Sequence, residues 1–248
     1  MNYNKSNPTL FFSMHRSGST ILSSILNHFS KISGNKLLRT DNNKKLNIKE
    51  LNGNIFVGAI RDYSFSKSYD EIIDKNLILC LRDPRDVAVS MFYSFCYYHP
   101  GTLKPNTGIR KEWSDRGIDE FVKKIMFNKS PIEYYGTGSR QNLIDRYKKY
   151  LPLIESKNTI ILNYELMVTN FNMWATKLCE HVGIVDESII NQLINKFSKE
   201  FNLNKIENVD QHKRKIIPNQ YKDKLSKETI SLINNDLGEI IEKLGYKL

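Results

Sequence analysis

This sequence has little cysteine, a deficit of acidic residues and no long apolar run, and each shortage removes a class of protein. Cys80, Cys96 and Cys179 are the only cysteines; they lie far apart, with no CxxC pair and no regularly spaced histidines. That argues against a disulfide scaffold and against a thiolate metal site, so a reducing, cytoplasmic setting and no metal are expected. Cys80 stands in the apolar run LILCL and reads as a small buried residue. No stretch approaches the roughly 18 to 20 apolar residues of a membrane span, and the opening MNYNKSNP has no signal-peptide core, so no integral membrane segment is expected. Asp and Glu number 27 against 37 Lys and Arg, and the resulting formal charge of +10 favours anionic partners. The basic residues are dispersed, so a nucleic-acid arm is not expected, and a lysine-rich solvated surface accounts for part of the charge. Internal repeats, low-complexity tracts and linkers are also missing. Residues 1–248 therefore read as a single domain, long enough for one large core.

What is present is an alternation of short apolar runs with amphipathic segments. TLFFSM (Thr9 to Met14), NIFVGAI (Asn54 to Ile60), NLILCL (Asn76 to Leu81) and NTIILNY (Asn158 to Tyr164) are strand-length and continuously apolar. Strands of a parallel sheet covered on both faces have this composition. Helical spacing follows, in Ile21, Leu22, Ile25, Leu26 and Phe29, in Val87, Met91, Phe92 and Phe95, and in Trp174, Leu178 and Val182. The expected fold is α/β: one three-layer domain with a central parallel sheet flanked by helices, P-loop-like in its first turn. From Cys96 to Asn158 the pattern loosens into loops around a helix near Ile118 to Phe127, and beyond Glu187 the chain reads as helix-rich around a loop containing Pro218. Trp113, Tyr134 and Tyr135 offer aromatic surface for an acceptor, or for packing.

The stretch SMHRSGST (Ser13 to Thr20) joins the first strand to the first helix. Such a turn exposes backbone N–H groups at a helix N-terminus, where the dipole favours an anion. Gly18 lets the backbone approach the anion, His15 and the Ser17, Ser19 and Thr20 hydroxyls add donors, and Arg16 is the nearest cation. The GxxxxGK[ST] pattern of nucleoside-triphosphate loops is not matched, because Ser19 stands where the lysine belongs. A second strand-to-helix turn, LRDPRDVAVS, places Arg82 at the end of a buried strand and Ser90 about two helical turns further on. Asp83 is the expected N-cap there and Pro84 the first helical residue. Arg82 has an alternative use as an ion-pair partner of Asp83 or Asp86.

Taken together, RSGST and RDPRDVAVS resemble the nucleotide-binding signatures of sulfotransferases that use 3'-phosphoadenosine 5'-phosphosulfate (PAPS). The resemblance continues in LNYEL (Leu162 to Leu166), in RKIIPNQYKDKLS (Arg214 to Ser226) and in the terminal LGYKL, in the right order from Leu10 to Tyr246. It implies that the first loop, His15 to Thr20, holds the 5'-phosphosulfate, that Arg82 and Ser90 hold the 3'-phosphate, that Tyr164 lies near the adenine, and that Arg214 and Lys215 close on the 3'-phosphate. The chain departs from the family pattern at Ile216 and Asn219, which replace two glycines of the late segment, at Ile21, which replaces an adenine-stacking tryptophan, and at Arg16, which replaces a lysine. The implied activity is transfer of a sulfuryl group from PAPS, without a metal, to a hydroxyl or amine of a small-molecule or glycan acceptor. By analogy with phosphoryl transfer, the reaction needs a rigidly held donor, a stabilised leaving phosphate and a base for the acceptor proton. Arg16 and the backbone of the turn serve the first two needs. The histidine that family members carry in the strand before the 3'-phosphate segment is missing from AIRDYSF; Asp62 is the nearest acceptor there, beside Arg61, and His99 is the alternative base. An aspartate of ordinary pKa, about 3.9, is a poor base unless burial raises it. His28, His181 and His212 read as ordinary helix or loop residues. Two other readings stay open at this point: a P-loop-like nucleotide or small-molecule kinase, and a non-catalytic nucleotide- or glycan-binding module.

Overall fold

The computed structural model describes residues 7–39, 51–60, 71–72, 74–98, 107–127, 142–201, 203, 207–208 and 215–248. They group into two compact units, the first drawn from 1–82 and 152–202, the second from 83–151 and 203–248.

The first unit contains a five-stranded parallel sheet in the order β2-β3-β1-β4-β5. Its strands are β1 (Thr9–Ser13), β2 (Lys36–Leu38), β3 (Ile55–Ile60), β4 (Asn76–Cys80) and β5 (Thr159–Ile161). β1 and β4 are buried along their whole length, as their unbroken apolar runs require. β2 was not legible as a strand, because three half-exposed residues at a sheet edge carry no periodicity. α1 (Ser19–Ser33) follows β1 and packs Leu22, Ile25, Leu26 and Phe29 into a core with Phe11, Phe56 and Ile78. Each such side chain contributes roughly 1.5 to 3 kcal/mol by leaving water. The sheet tolerates no side chain at Gly58, where a Cβ would lie 2.9 Å from Phe11 Cβ and 3.0 Å from the Phe11 carbonyl oxygen. A glycine there lets β3 close against β1.

The second unit is helical. α2 (Pro84–Tyr93) starts as expected, with Pro84 in its first turn and the Asp83 carboxylate accepting from the Arg85 N–H. It runs into a π-helical turn, Ser94–Tyr98. α3 (Gly108–Arg116), α4 (Ile118–Phe127) and α5 (Leu143–Lys148) follow; α6 (Leu151–Ile154), which from Pro152 on belongs to the first unit, precedes β5. The looser sequence between Cys96 and Asn158 thus holds more helix than the single one expected. α3 and α5 are short and rich in charge, so their apolar spacing is weak. Trp113 of α3 is buried edge-to-face against Phe121, which also meets Phe92 and Phe95; it serves the core of this unit.

After β5 the first unit adds α7 (Tyr164–Thr169), α8 (Phe171–His181), α9 (Glu187–Phe197) and a 3-10 turn, Ser198–Glu200. Asn163, Asn170 and Asp186 cap the three helices with side-chain hydrogen bonds. The second unit closes with α10 (Tyr221–Lys224) and α11 (Lys227–Lys243).

His181 ends α8 half-buried, and burial holds its pKa below the ordinary value against the opposing hydrogen bond to the Leu77 backbone. The folded chain therefore resists a proton that the unfolded chain takes up as pH falls through about 6.5. Stability measured by urea unfolding is expected to decline from about pH 7 to about pH 5. His181→Gln, which cannot titrate, should flatten that decline, leaving the same-signed contribution of His28. An unchanged pH slope would remove His181 from the account.

Candidate active site

β1 and β4 are neighbours in register, with Ser13 opposite Cys80, so the two chains leave the sheet side by side at its carboxyl edge. The chain after β5 stays beside β4, since the Leu162 N–H donates to the Leu79 carbonyl and the Tyr164 N–H to the Leu81 carbonyl at 2.7 Å. Three strand ends thus bring the turn after β1, Arg82 and Tyr164 together. In open parallel sheets this edge, where connections diverge to opposite sides, is where ligands bind.

The turn after β1 closes with the Ser17 N–H on the Met14 carbonyl at 3.0 Å. Arg16 (φ 71°) and Gly18 (φ 80°) are both left-handed, an arrangement that aims successive backbone N–H groups toward one side. α1 begins directly after Gly18 with no side-chain cap and no acidic residue in its first turn. A fifteen-residue helix entered this way offers its N-terminal N–H groups and dipole to an external anion. Ser17 Oγ supports the same reading: it is buried and has no hydrogen-bond partner among the described residues. His15 and Arg16 are half-buried, Ser19 buried and Thr20 exposed in the first turn of α1. Ile21 is half-buried and packs on the core beneath the turn.

Gly18 meets its constraint from below. A Cβ added there would stand 2.9 Å from Met167 Cε and 3.1 Å from Tyr164 Cδ2, on a backbone that L side chains rarely adopt. Gly18→Ala is expected to destabilise the fold by about 1 to 3 kcal/mol through left-handed strain and overpacking. It should also weaken anion binding at the turn. A variant with wild-type melting temperature and ligand affinity would contradict this account.

Arg82 is buried and lies with its guanidinium 4.4 Å above the Tyr164 ring, donating from Nη1 to the Arg16 carbonyl at 3.3 Å. Glu165 Oε1 stands 4.0 Å from its Nε. Sequence reading did not single out Glu165, although it directly follows Tyr164 in LNYEL. Tyr164 itself opens α7 and is buried.

The remaining predicted residues belong to the second unit or lie outside the described residues. Ser90 is half-buried on α2. One turn earlier on that helix the buried Asp86 accepts from the backbone N–H groups of Asn219, at 2.9 Å, and Tyr221, at 3.0 Å. Gln220 Nε2 donates to the Lys215 and Ile217 carbonyls, at 3.2 and 2.8 Å, and so closes the segment from Lys215 to Gln220 on itself. Asn219, which replaces a family glycine, adopts φ 62°. Asparagine is among the few residues that enter this region readily, so the late segment makes a left-handed turn here without a glycine. Asp86 and Gln220 were missed as organisers of this segment, because a carboxylate and an amide that bind backbone leave no sequence signature. Asp62, His99, Arg214, His212, Tyr134 and Tyr135 lie outside the described residues. Among the described residues there is no cluster of three or more His, Cys, Asp or Glu able to hold a metal, and no helix long and apolar enough to cross a membrane.

The sequence profile of the sulfotransferase domain family matches residues 6–245. The chain belongs to the sulfotransferase family. Its reaction class is therefore sulfuryl transfer, and the anion turn after β1 is read in that light. A comparison with curated proteins finds no match. Among solved structures, this sulfotransferase is similar to mouse sulfotransferase SULT7A1 complexed with PAP, at 15% identity and a TM-score of 0.59, over 97% of this chain and 85% of that one. It is also similar to retinol dehydratase in a complex with retinol and PAP, at 14% identity and a TM-score of 0.54, over 99% and 83%. At such identities the likeness carries the fold, a P-loop-like parallel sheet with flanking helices.

Proposed function

We propose that this sulfotransferase takes PAPS as its co-substrate and transfers the sulfuryl group to a hydroxyl or amine of a small-molecule or glycan acceptor. The observation that carries the reading is the uncapped start of α1, with two left-handed residues and the orphaned Ser17 hydroxyl, at the same sheet edge as Arg82. These groups suit an anionic ligand, and the motif resemblance assigns one phosphate to the turn and a second to Arg82. When bound, PAPS supplies the sulfuryl group and departs as the 3',5'-bisphosphate. The turn from His15 to Thr20 holds the 5' end, its N–H groups and the Arg16 guanidinium stabilising the negative charge that develops on the leaving phosphate. Arg82 takes the 3'-phosphate by charge-assisted hydrogen bonds. Ser90, Arg214 and Lys215 keep the 3'-phosphate assignment that the motifs imply, and Tyr164 the neighbourhood of the adenine. The acceptor's proton goes to Asp62 or, as the alternative, to His99. We place the protein in the cytoplasm as one catalytic domain over 1–248. Its cysteines are free and buried, and burial pushes Cys96 and Cys179 up to about 12 and Cys80 higher still, which leaves no reactive thiolate.

Thermal unfolding with adenosine 3',5'-bisphosphate, set against ATP with Mg2+, tests the nucleotide. At about 100 times its Kd the bisphosphate is expected to add about 2.7 kcal/mol, roughly 5 to 10 °C in Tm for a chain of this size. A shift with ATP but not with the bisphosphate would overturn the assignment. Labelled PAPS offered to acceptor mixtures then separates enzyme from binding module: binding without transfer to any acceptor would favour the latter.

A further inference from the structure

Recognition of a ligand phosphate does not require Arg82 to touch the first turn, yet it does. Its Nη1 donates to the carbonyl of Arg16, which lies 66 residues earlier in the chain. Its guanidinium rests on the Tyr164 ring, and that same ring supports Gly18 from below. Tyr164 is pinned in turn by its backbone hydrogen bond to Leu81, the residue before Arg82. The two left-handed residues that shape the anion turn, Arg16 and Gly18, are thus held by one pair of side chains, Arg82 through the Arg16 carbonyl and Tyr164 through packing.

We propose that Arg82 and Tyr164 are positioning residues for the 5'-phosphosulfate turn, so that the anchor of the 3'-phosphate and the cradle of the reacting group form one mechanical unit. The inference rests on the assignment of the turn and of Arg82 made above. A non-glycine residue in the left-handed region has right-handed and extended alternatives of lower energy, and a donor on its carbonyl selects the left-handed one. A 3'-phosphate that immobilises Arg82 therefore also orders Arg16, and the second phosphate does more than add affinity: it preorganises the turn where charge develops.

The test uses two ligands on the whole chain, adenosine 5'-monophosphate, which has no 3'-phosphate, and adenosine 3',5'-bisphosphate, with affinities from titration calorimetry. Arg82→Lys keeps the charge but replaces a planar fork by a point donor that cannot both lie on Tyr164 and reach the Arg16 carbonyl. It is expected to bind the 5'-monophosphate about tenfold more weakly, the loss of roughly one charge-assisted hydrogen bond, while the preference for the bisphosphate persists. Arg82→Gln should show the same loss on the monophosphate and lose the preference as well. Tyr164→Leu should weaken the monophosphate too, partly through the turn and partly through the adenine it neighbours, so the part it shares with Arg82→Lys should not be lost twice in the double variant. Unchanged monophosphate affinity in both Arg82 variants would overturn the proposal. Should Tyr164→Leu fail to fold, the two Arg82 variants decide alone. A wild-type chain that binds neither nucleotide would sink the PAPS reading and this inference with it, whereas normal wild-type binding with an intact monophosphate affinity at Arg82→Lys and Arg82→Gln sinks only the inference.

Discussion

Replacing Arg16 by glycine is expected to lower turnover by about 10²- to 10³-fold, the usual consequence of deleting a preorganised donor aimed at developing charge. Glycine is the informative replacement because Arg16 sits at φ 71°. A glycine adopts that conformation without strain, so the turn keeps its N–H groups and its carbonyl contact with Arg82 while only the guanidinium is lost. Arg16→Ala removes the same charge but leaves the left-handed cost in place, so the two variants together separate chemistry from backbone. The measurement is single-turnover sulfuryl transfer from saturating PAPS, with binding of the 3',5'-bisphosphate as control. Wild-type turnover in a folded Arg16→Gly chain would show that the backbone and hydroxyls of the turn suffice and that Arg16 has no part in the transfer.

The largest loss of stability is expected at Asp83. Its carboxylate holds the buried Arg85 guanidinium by three contacts, accepting from Nε on Oδ1 at 2.9 Å and on Oδ2 at 3.2 Å and from Nη2 on Oδ2 at 2.7 Å, and also caps α2. Arg85, only 1% exposed, further donates to the Asn234 side chain and the Lys247 carbonyl and lies 4.2 Å above the Tyr221 ring. Burial alone pulls the Arg85 pKa down; the Asp83 hydrogen bonds and charge overcome this and hold it above its ordinary value. Asp83→Ala leaves that cation buried without its carboxylate. The expected cost is about 3 to 5 kcal/mol, or roughly 6 to 20 °C in Tm. Asp83→Asn combined with Arg85→Met removes both charges and should be less destabilised than Asp83→Ala, because no uncompensated ion remains. If the double variant melts below the single one, the loss belongs to the packing and other hydrogen bonds of Arg85 rather than to the stranded charge.

Much of the site was legible because its signals are local. A Ser-Gly-Ser-Thr run between an apolar strand and an apolar-faced helix marks a strand-to-helix turn from a few adjacent residues, and the arginine two residues past β4 was found in the same way. The capping of α2 by Asp83, with Pro84 behind it, depends on a few adjacent residues and was read directly. The contacts that organise these pieces were not legible. Nothing in the sequence pairs Arg82 with the carbonyl of Arg16, sets Tyr164 under Gly18, or sends the Asp86 carboxylate to the amides of Asn219 and Tyr221. Each is a polar or packing contact between segments tens of residues apart. A backbone amide or carbonyl, unlike a side chain, leaves no letter in the sequence to mark it as the partner. Asn219, where the resemblance sets a glycine, takes a left-handed φ of 62°, a backbone state that its letter alone does not announce.

The sequence by itself determined the class of the fold, the family and the two strand-to-helix turns that carry its motifs, since hydrophobic periodicity and short motifs are encoded residue by residue. Only the tertiary structure decided that β1 and β4 end level with one another, and that Arg82 and Tyr164 therefore meet the first turn. Strand register and side-chain direction arise from packing the whole sheet, and no local stretch specifies them.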